Sequence, residues 1–185
     1  MKDNSGFSLV ELLVVMAMMA ILLSVGLTVF GLSDNGYVKE NTQNLTAMLE
    51  KAVYNTQAIA AKEWVVEVTK VDDNYVASLS KVTTDDVGNL VTEEVESLDF
   101  SGNVKVTLDS MFEGAGALSD KEITEIDNLV ITFEKQTGEV SKLTVGSTDY
   151  DKAELKGNKG TITVISGNKE KTIEIFWSTG KIFTK

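Results

Sequence analysis

The chain has 185 residues, 43% hydrophobic and 24% charged, and 28 acidic side chains against 17 basic ones give a formal net charge of -11. It contains no Cys, His or Pro, and every basic residue is Lys. Those absences remove disulfides, thiol nucleophiles, Cys-based zinc sites and Ser-His triads, and they leave no guanidinium fork for bidentate phosphate or guanine recognition. The acidic excess also repels a polyanion, which sets the chain against nucleic-acid binding.

Charge is unevenly distributed. Residues 7–32 carry a single charged side chain, Glu11, and residues 12–32 carry none, whereas residues 33–185 hold 26 acidic and 16 basic side chains. The 21 uncharged residues 12–32 span roughly 30 Å as a helix, the thickness of a bilayer's hydrocarbon core. A cleavable secretory signal has an apolar core of only about 7–15 residues, followed by a small-residue cleavage site. This run is longer, and Ser33-Asp34-Asn35-Gly36 after it lacks that character, so the segment reads as a single membrane-spanning helix. The polar Met1-Lys2-Asp3-Asn4-Ser5-Gly6 is weakly positive once the free amine is counted, which places the amino terminus inside and the body outside.

Glu11 breaks the apolar run. A carboxylate costs a few kcal/mol at the centre of a membrane helix and less near an interface. Near the helix start it complements the dipole, so solvation at headgroup level is the plain account. Its neighbours supply another. Gly6-Phe7-Ser8-Leu9-Val10-Glu11-Leu12-Leu13 resembles the class III signal of type IV pilins and pseudopilins, although Asp3 departs from the usual basic leader. The resemblance implies cleavage between Gly6 and Phe7 by the prepilin peptidase, N-methylation of Phe7, and a mature chain of 179 residues with Glu11 at its fifth position. The new amine at Phe7 and the carboxylate of Glu11 lie one helical turn apart, and either can pair with its counterpart on a neighbouring subunit. Such pairing sets the axial register while Leu9, Leu12, Leu13, Met16, Ile21 and Leu22 pack between helices. Head-to-tail contacts of this kind do not close, so they build a helical filament. The implied partners are the peptidase, other pilins or pseudopilins, an inner-membrane assembly platform and, before assembly, membrane lipid. The implied location is the cytoplasmic membrane, then a periplasmic or cell-surface filament.

Gly26, Gly31 and Gly36 weaken the helix, so residues 26–36 are expected to form a hinge or a membrane-exit loop. From 37 to 62 helical spacing returns, with Val38, Leu45, Met48, Leu49, Ala52, Val53 and Ala60 forming an apolar stripe suited to docking on a sheet. Residues 64–71, 75–80, 90–95, 104–108, 129–134, 140–145, 161–166 and 172–177 read as strands, separated by turn clusters such as Asp72-Asp73-Asn74, Ser101-Gly102-Asn103 and Ser166-Gly167-Asn168. A short helix is expected at 119–127, opened by the capping-box-like Ser119-Asp120-Lys121-Glu122. The division is leader 1–6, transmembrane and assembly helix 7–32, amphipathic continuation 33–62, and β-rich head 63–185. The fold class is α+β: a long amino-terminal helix packed on an antiparallel β-rich head, the type IV pilin layout. Gly102-Asn103-Val104-Lys105-Val106, Val130-Ile131-Thr132-Phe133-Glu134 with Gly138, and the ending from Gly160 to Ile182 resemble the GspH/FimT-type minor pseudopilins, with Lys181 where that group commonly has Arg.

No nucleophile and base pair stands out, so no catalytic residue and no cofactor are expected. Asp85-Asp86, Glu93-Glu94 and the group Asp149, Asp151 and Glu154 are acidic surface. The last group is a weak calcium candidate, because some pseudopilins hold that ion in an acidic loop. Trp64 and Trp177 are assigned to the core, and Lys181 and Lys185 form a small cationic end. The expected function is a structural filament subunit of a type IV pilus or type II secretion-like system. The alternative makes the head a binding module for DNA, an adhesion target or a secreted substrate.

Overall fold

The computed structural model describes residues 9–58, 62–85, 87–112, 116–155 and 159–185, with the backbone alone for 21–33, 111–112 and 116. One helix, α1 (Leu9–Ala58), precedes β1 (Glu63–Val71), β2 (Asn74–Thr84), β3 (Leu90–Asp99), β4 (Lys105–Phe112), β5 (Gly116–Glu122), β6 (Leu129–Phe133), β7 (Val140–Val145), β8 (Thr148–Asp151), a single turn α2 (Lys152–Leu155), β9 (Lys159–Ser166), β10 (Lys169–Phe176) and β11 (Lys181–Thr184). This is an α+β arrangement of a helix followed by antiparallel sheets.

The strands form two sheets, ordered β3-β2-β1-β6-β7-β8 and β11-β10-β9-β4-β5. Each joins two separate stretches of chain, across β1–β6 in the first and β4–β9 in the second. Alternation along the strands explains the register. Trp64, Val66 and Val68 of β1 face inward, and they lie opposite Phe133, Ile131 and Leu129, the inward residues of β6. Ile162 stands opposite Ile173 in the same way. A one-residue slip would turn each of these sets to water. Asp72 and Asp73, both at positive φ, form the two-residue connection between β1 and β2 that such hairpins prefer.

The carboxyl-terminal half of α1 packs on both sheets, touching β1, β2 and β6 of one and β9, β10 and β11 of the other. Val38, Asn41, Thr42, Leu45, Met48, Leu49, Ala52 and Thr56 are buried, recurring every three or four residues. A single core joins this stripe to the inner faces of both sheets, with Trp64 and Trp177 inside it.

Two expectations need correction. The backbone stays helical through Gly26, Gly31 and Gly36, so no exit loop interrupts α1. Residues 119–127 form no helix: Gly116–Glu122 is a strand paired with β4, Asp120 has a φ of 47°, and its N–H donates to Asp109 at 2.8 Å. Pairing along the edge of β4 supplies more hydrogen bonds than one isolated helical turn, whose nucleation is unfavourable. The acidic 148–155 stretch forms a strand and a turn of helix. Strands β2, β3 and β10 run longer than expected, and β8 and β11 add short edges.

Candidate functional site

The first described turns of α1 touch no other part of the molecule strongly enough to be covered. Leu9, Val10, Leu12, Leu13, Val14, Val15, Met16, Met18 and Met19 are 45–80% exposed. Consecutive helical positions point in all directions, so this segment is apolar around its whole circumference. A helix of that kind is stable only when something other than water covers it. Glu11, in the first turn, is its one acidic residue. Gly6 and Phe7 lie outside the described residues. Among the described residues, no helix is long and apolar enough to cross a membrane.

Below this segment the helix is fastened to the head at both ends of its buried stripe. The Asn41 side-chain amide donates to the Ser101 carbonyl at 2.8 Å and accepts the Ser101 N–H at 2.9 Å. Tyr37 lies across Gly102 so closely that an added Cβ there would stand 2.4 Å from the ring. At the far end the Gln57 amide donates to the Thr137 carbonyl at 2.9 Å, and the Thr56 carbonyl accepts the Gln136 N–H at 3.2 Å. Sequence reading found the apolar stripe but missed Asn41. Its signal was a polar residue set among apolar positions, which has no meaning until its partner 60 residues away is known.

The acidic groups of the head are occupied locally. Asp149 pairs with Lys142 at 2.7 Å and accepts the Thr144 hydroxyl at 2.7 Å, which together hold its carboxyl below the usual range. Glu154 caps α2 by accepting the Asp151 N–H at 2.8 Å. Among the described residues no group of three acids is placed to hold a metal ion, so the structure does not gather Asp149, Asp151 and Glu154 into a cage. Asp85 accepts the N–H groups of Asn89 and Val87, and the former contact is the leading reason its carboxyl is lowered. Asp86 lies outside the described residues. Glu93 pairs with Lys81.

The supposed cationic end is divided. Lys185 pairs with Glu174 at 3.0 Å, beside Lys159 at 2.6 Å, while Lys181 is exposed. A concavity of about 540 Å³ is walled by Val140, Ala153, Leu155 and Trp177, with Glu139 and Lys152 at its polar margin. Lys152 is tied to Glu134 and Glu139, and those bonds raise its ammonium pKa. A lysine held charged in this way is a poor base or nucleophile. The arrangement offers binding surface and a coverable helix.

No curated protein and no solved structure matches the chain. One family model does match, that of the prokaryotic N-terminal methylation motif, over residues 1–27. These residues contain Gly6, Phe7, Glu11 and the start of the exposed apolar helix. The chain therefore carries the class III signal of type IV pilin and pseudopilin precursors, the substrates of the prepilin peptidase.

Proposed function

We propose that this chain is a structural subunit, a minor pilin or pseudopilin, of a type IV pilus or type II secretion-like filament. The prepilin peptidase cuts between Gly6 and Phe7, the new amino terminus of Phe7 is methylated, and the subunit is held in the cytoplasmic membrane by residues 7–32 until it joins the filament. The observation that carries this reading is the match at residues 1–27, within which the first described turns of α1 are exposed and, Glu11 apart, apolar. The stretch of 21 uncharged residues supports a membrane-held stage. The helix followed by antiparallel sheets supports the pilin layout; in this reading the head is of the GspH/FimT-like type, lies on the outer face and supplies the surface by which the subunit modifies or starts a filament.

Glu11 has a defined part in this account. Once cleavage exposes an amine at Phe7, a carboxylate four residues on can neutralise it within one chain or between neighbours, and a charge pair in an apolar setting fixes register more strictly than apolar contacts do. The test is Glu11→Ala in cells producing the peptidase. The account expects cleavage to continue while recovery of the subunit in sheared filaments falls at least tenfold. Normal recovery would remove the register role.

A further inference from the structure

The helix and the head are joined without slack. α1 stays helical from Leu9 through Ala58, and the uncharged run within it ends at residue 32. Two residues on, Asp34 already meets the head: its Oδ1 stands 3.3 Å from the Ser166 hydroxyl, which donates to the Asn103 carbonyl at 2.9 Å. Tyr37 lies across Gly102, and Asn41 clasps Ser101 one turn later. The turn at residues 101–103 is therefore fixed at the level of residues 34–37 of the helix. That level lies roughly 3–8 Å beyond residue 32 at about 1.5 Å per residue. A bilayer about 30 Å thick in its hydrocarbon core and about 40–45 Å thick overall has about 5–8 Å of headgroup on each side. With residues 12–32 in the core, the turn stands within the headgroup layer.

The side chains at this end of the head suit that layer. A groove of about 470 Å³ has Gly102 and Asn103 on one wall, with Lys70, Asp73, Lys105 and Glu122 around it. Lys70 pairs with Asp73 at 3.3 Å and Lys105 with Glu122 at 2.9 Å, so each cation has an anion beside it. Ion pairs this exposed are worth about 0–1 kcal/mol, and exchanging their partners costs little. Ile126 shares a second concavity with Lys70 and Asp73, and Val71 follows Lys70 in the chain. Both are apolar and uncovered, Ile126 at 85% and Val71 at 48% exposure.

We propose that this end of the head docks on the headgroups of the membrane that holds the stem, with a zwitterionic phospholipid headgroup in the groove. Lys70 and Lys105 meet its phosphate, Asp73 and Glu122 meet its ammonium, and lipid covers Ile126 and Val71. The partner is zwitterionic because the groove presents both signs in equal number. Asp34, Asp72 and Glu125 lie at the same end of the head, so an anionic surface would be repelled rather than drawn in. The contact keeps the head against the bilayer, in one orientation, until the stem leaves for the filament. It rests on the membrane-held stage proposed above, because the stem sets the height of the groove.

The chain has no cysteine, so a single variant reports on one position. The full-length chain carrying Asn103→Cys, Ile126→Cys, Tyr54→Cys or Met16→Cys would be labelled with a polarity-sensitive fluorophore. It would then be reconstituted in vesicles of phosphatidylethanolamine and phosphatidylcholine containing lipid with a nitroxide at the headgroup or at mid-chain. Tyr54 serves as the reference, exposed and about 25 Å further along α1 than Tyr37. The expected result is headgroup quenching of the Asn103→Cys and Ile126→Cys probes at least twofold greater than that of Tyr54→Cys, with mid-chain quenching of Met16→Cys. Adding Lys70→Gln and Lys105→Gln together should at least halve the headgroup quenching of Ile126→Cys. Quenching of both head probes no greater than that of Tyr54→Cys, while Met16→Cys is quenched at mid-chain, overturns the proposal and leaves the membrane-held stem standing. Absence of mid-chain quenching of Met16→Cys overturns the stem reading and the proposal with it. Unchanged quenching after the two lysine substitutions, or quenching that requires added phosphatidylglycerol, overturns the zwitterionic groove.

Discussion

Asn41 is buried with no apolar surface to contribute, and its value lies in the two backbone groups it satisfies. Both the N–H and the carbonyl of Ser101 depend on its side chain. Replacing it with Ala leaves two part-buried polar groups to find water, at a cost of about 1–3 kcal/mol for an unsatisfied group. Asn41→Ala is therefore expected to lower the melting temperature of the detergent-solubilised chain by several degrees, read by circular dichroism, while Asn44→Ala on the exposed face leaves it unchanged. Equal shifts for the two would contradict the clasp. Asn41 was not legible in the sequence because its meaning depends on a turn 60 residues later. Glu11 was legible, because its signal is a charge where every neighbour is apolar.

Elements show a similar division. The stripe of α1 could be read because its period is local to the helix, and most strands could be read because their inward residues alternate. The strand at Gly116–Glu122 could not, since local capping chemistry at Ser119–Glu122 favoured a helix and only β4, reached through a bulged register, favours a strand. β11 is four residues long and draws its order from β10, where the Lys185 N–H donates to the Thr172 carbonyl at 2.9 Å. Packing between elements leaves little slack at β9 and the end of β10. A Cβ at Gly160 would fall 2.0 Å from the Trp177 ring, which is itself buried. Gly160→Ala should thus cost about 1–3 kcal/mol by overpacking, seen as a lower midpoint in urea. An unchanged midpoint would mean that Trp177 has room to move.

For the molecule as a whole, charge sets the pH range of stability. Glu122, Glu134 and Glu174 have carboxyls held below their usual range, led by hydrogen bonds from Lys105, Lys152 and Lys159 respectively. A depressed folded-state pKa stabilises above the unfolded value and is lost as pH falls through the folded one, so the acid limb should begin below about pH 4.3. Lys70, Lys105 and Lys152 are raised, chiefly by hydrogen bonds to Asp73, Glu122 and Glu134. Their contribution is complete below about pH 10.4 and is lost as pH rises through the raised values. The melting temperature should be level between these limits, with shallow flanks because the pairs are exposed; a sharp optimum near neutrality would contradict this. The same division of charge separates an exposed apolar helical segment from a charged head. The proposed task is to be cut, anchored and stacked, and each of these steps begins at the amino terminus. The most direct test is the intact mass of the chain purified from cells with and without the prepilin peptidase. The account predicts loss of residues 1–6 and gain of one methyl group only when the peptidase is present; an uncut chain in both, or a cut beyond residue 32, would contradict it.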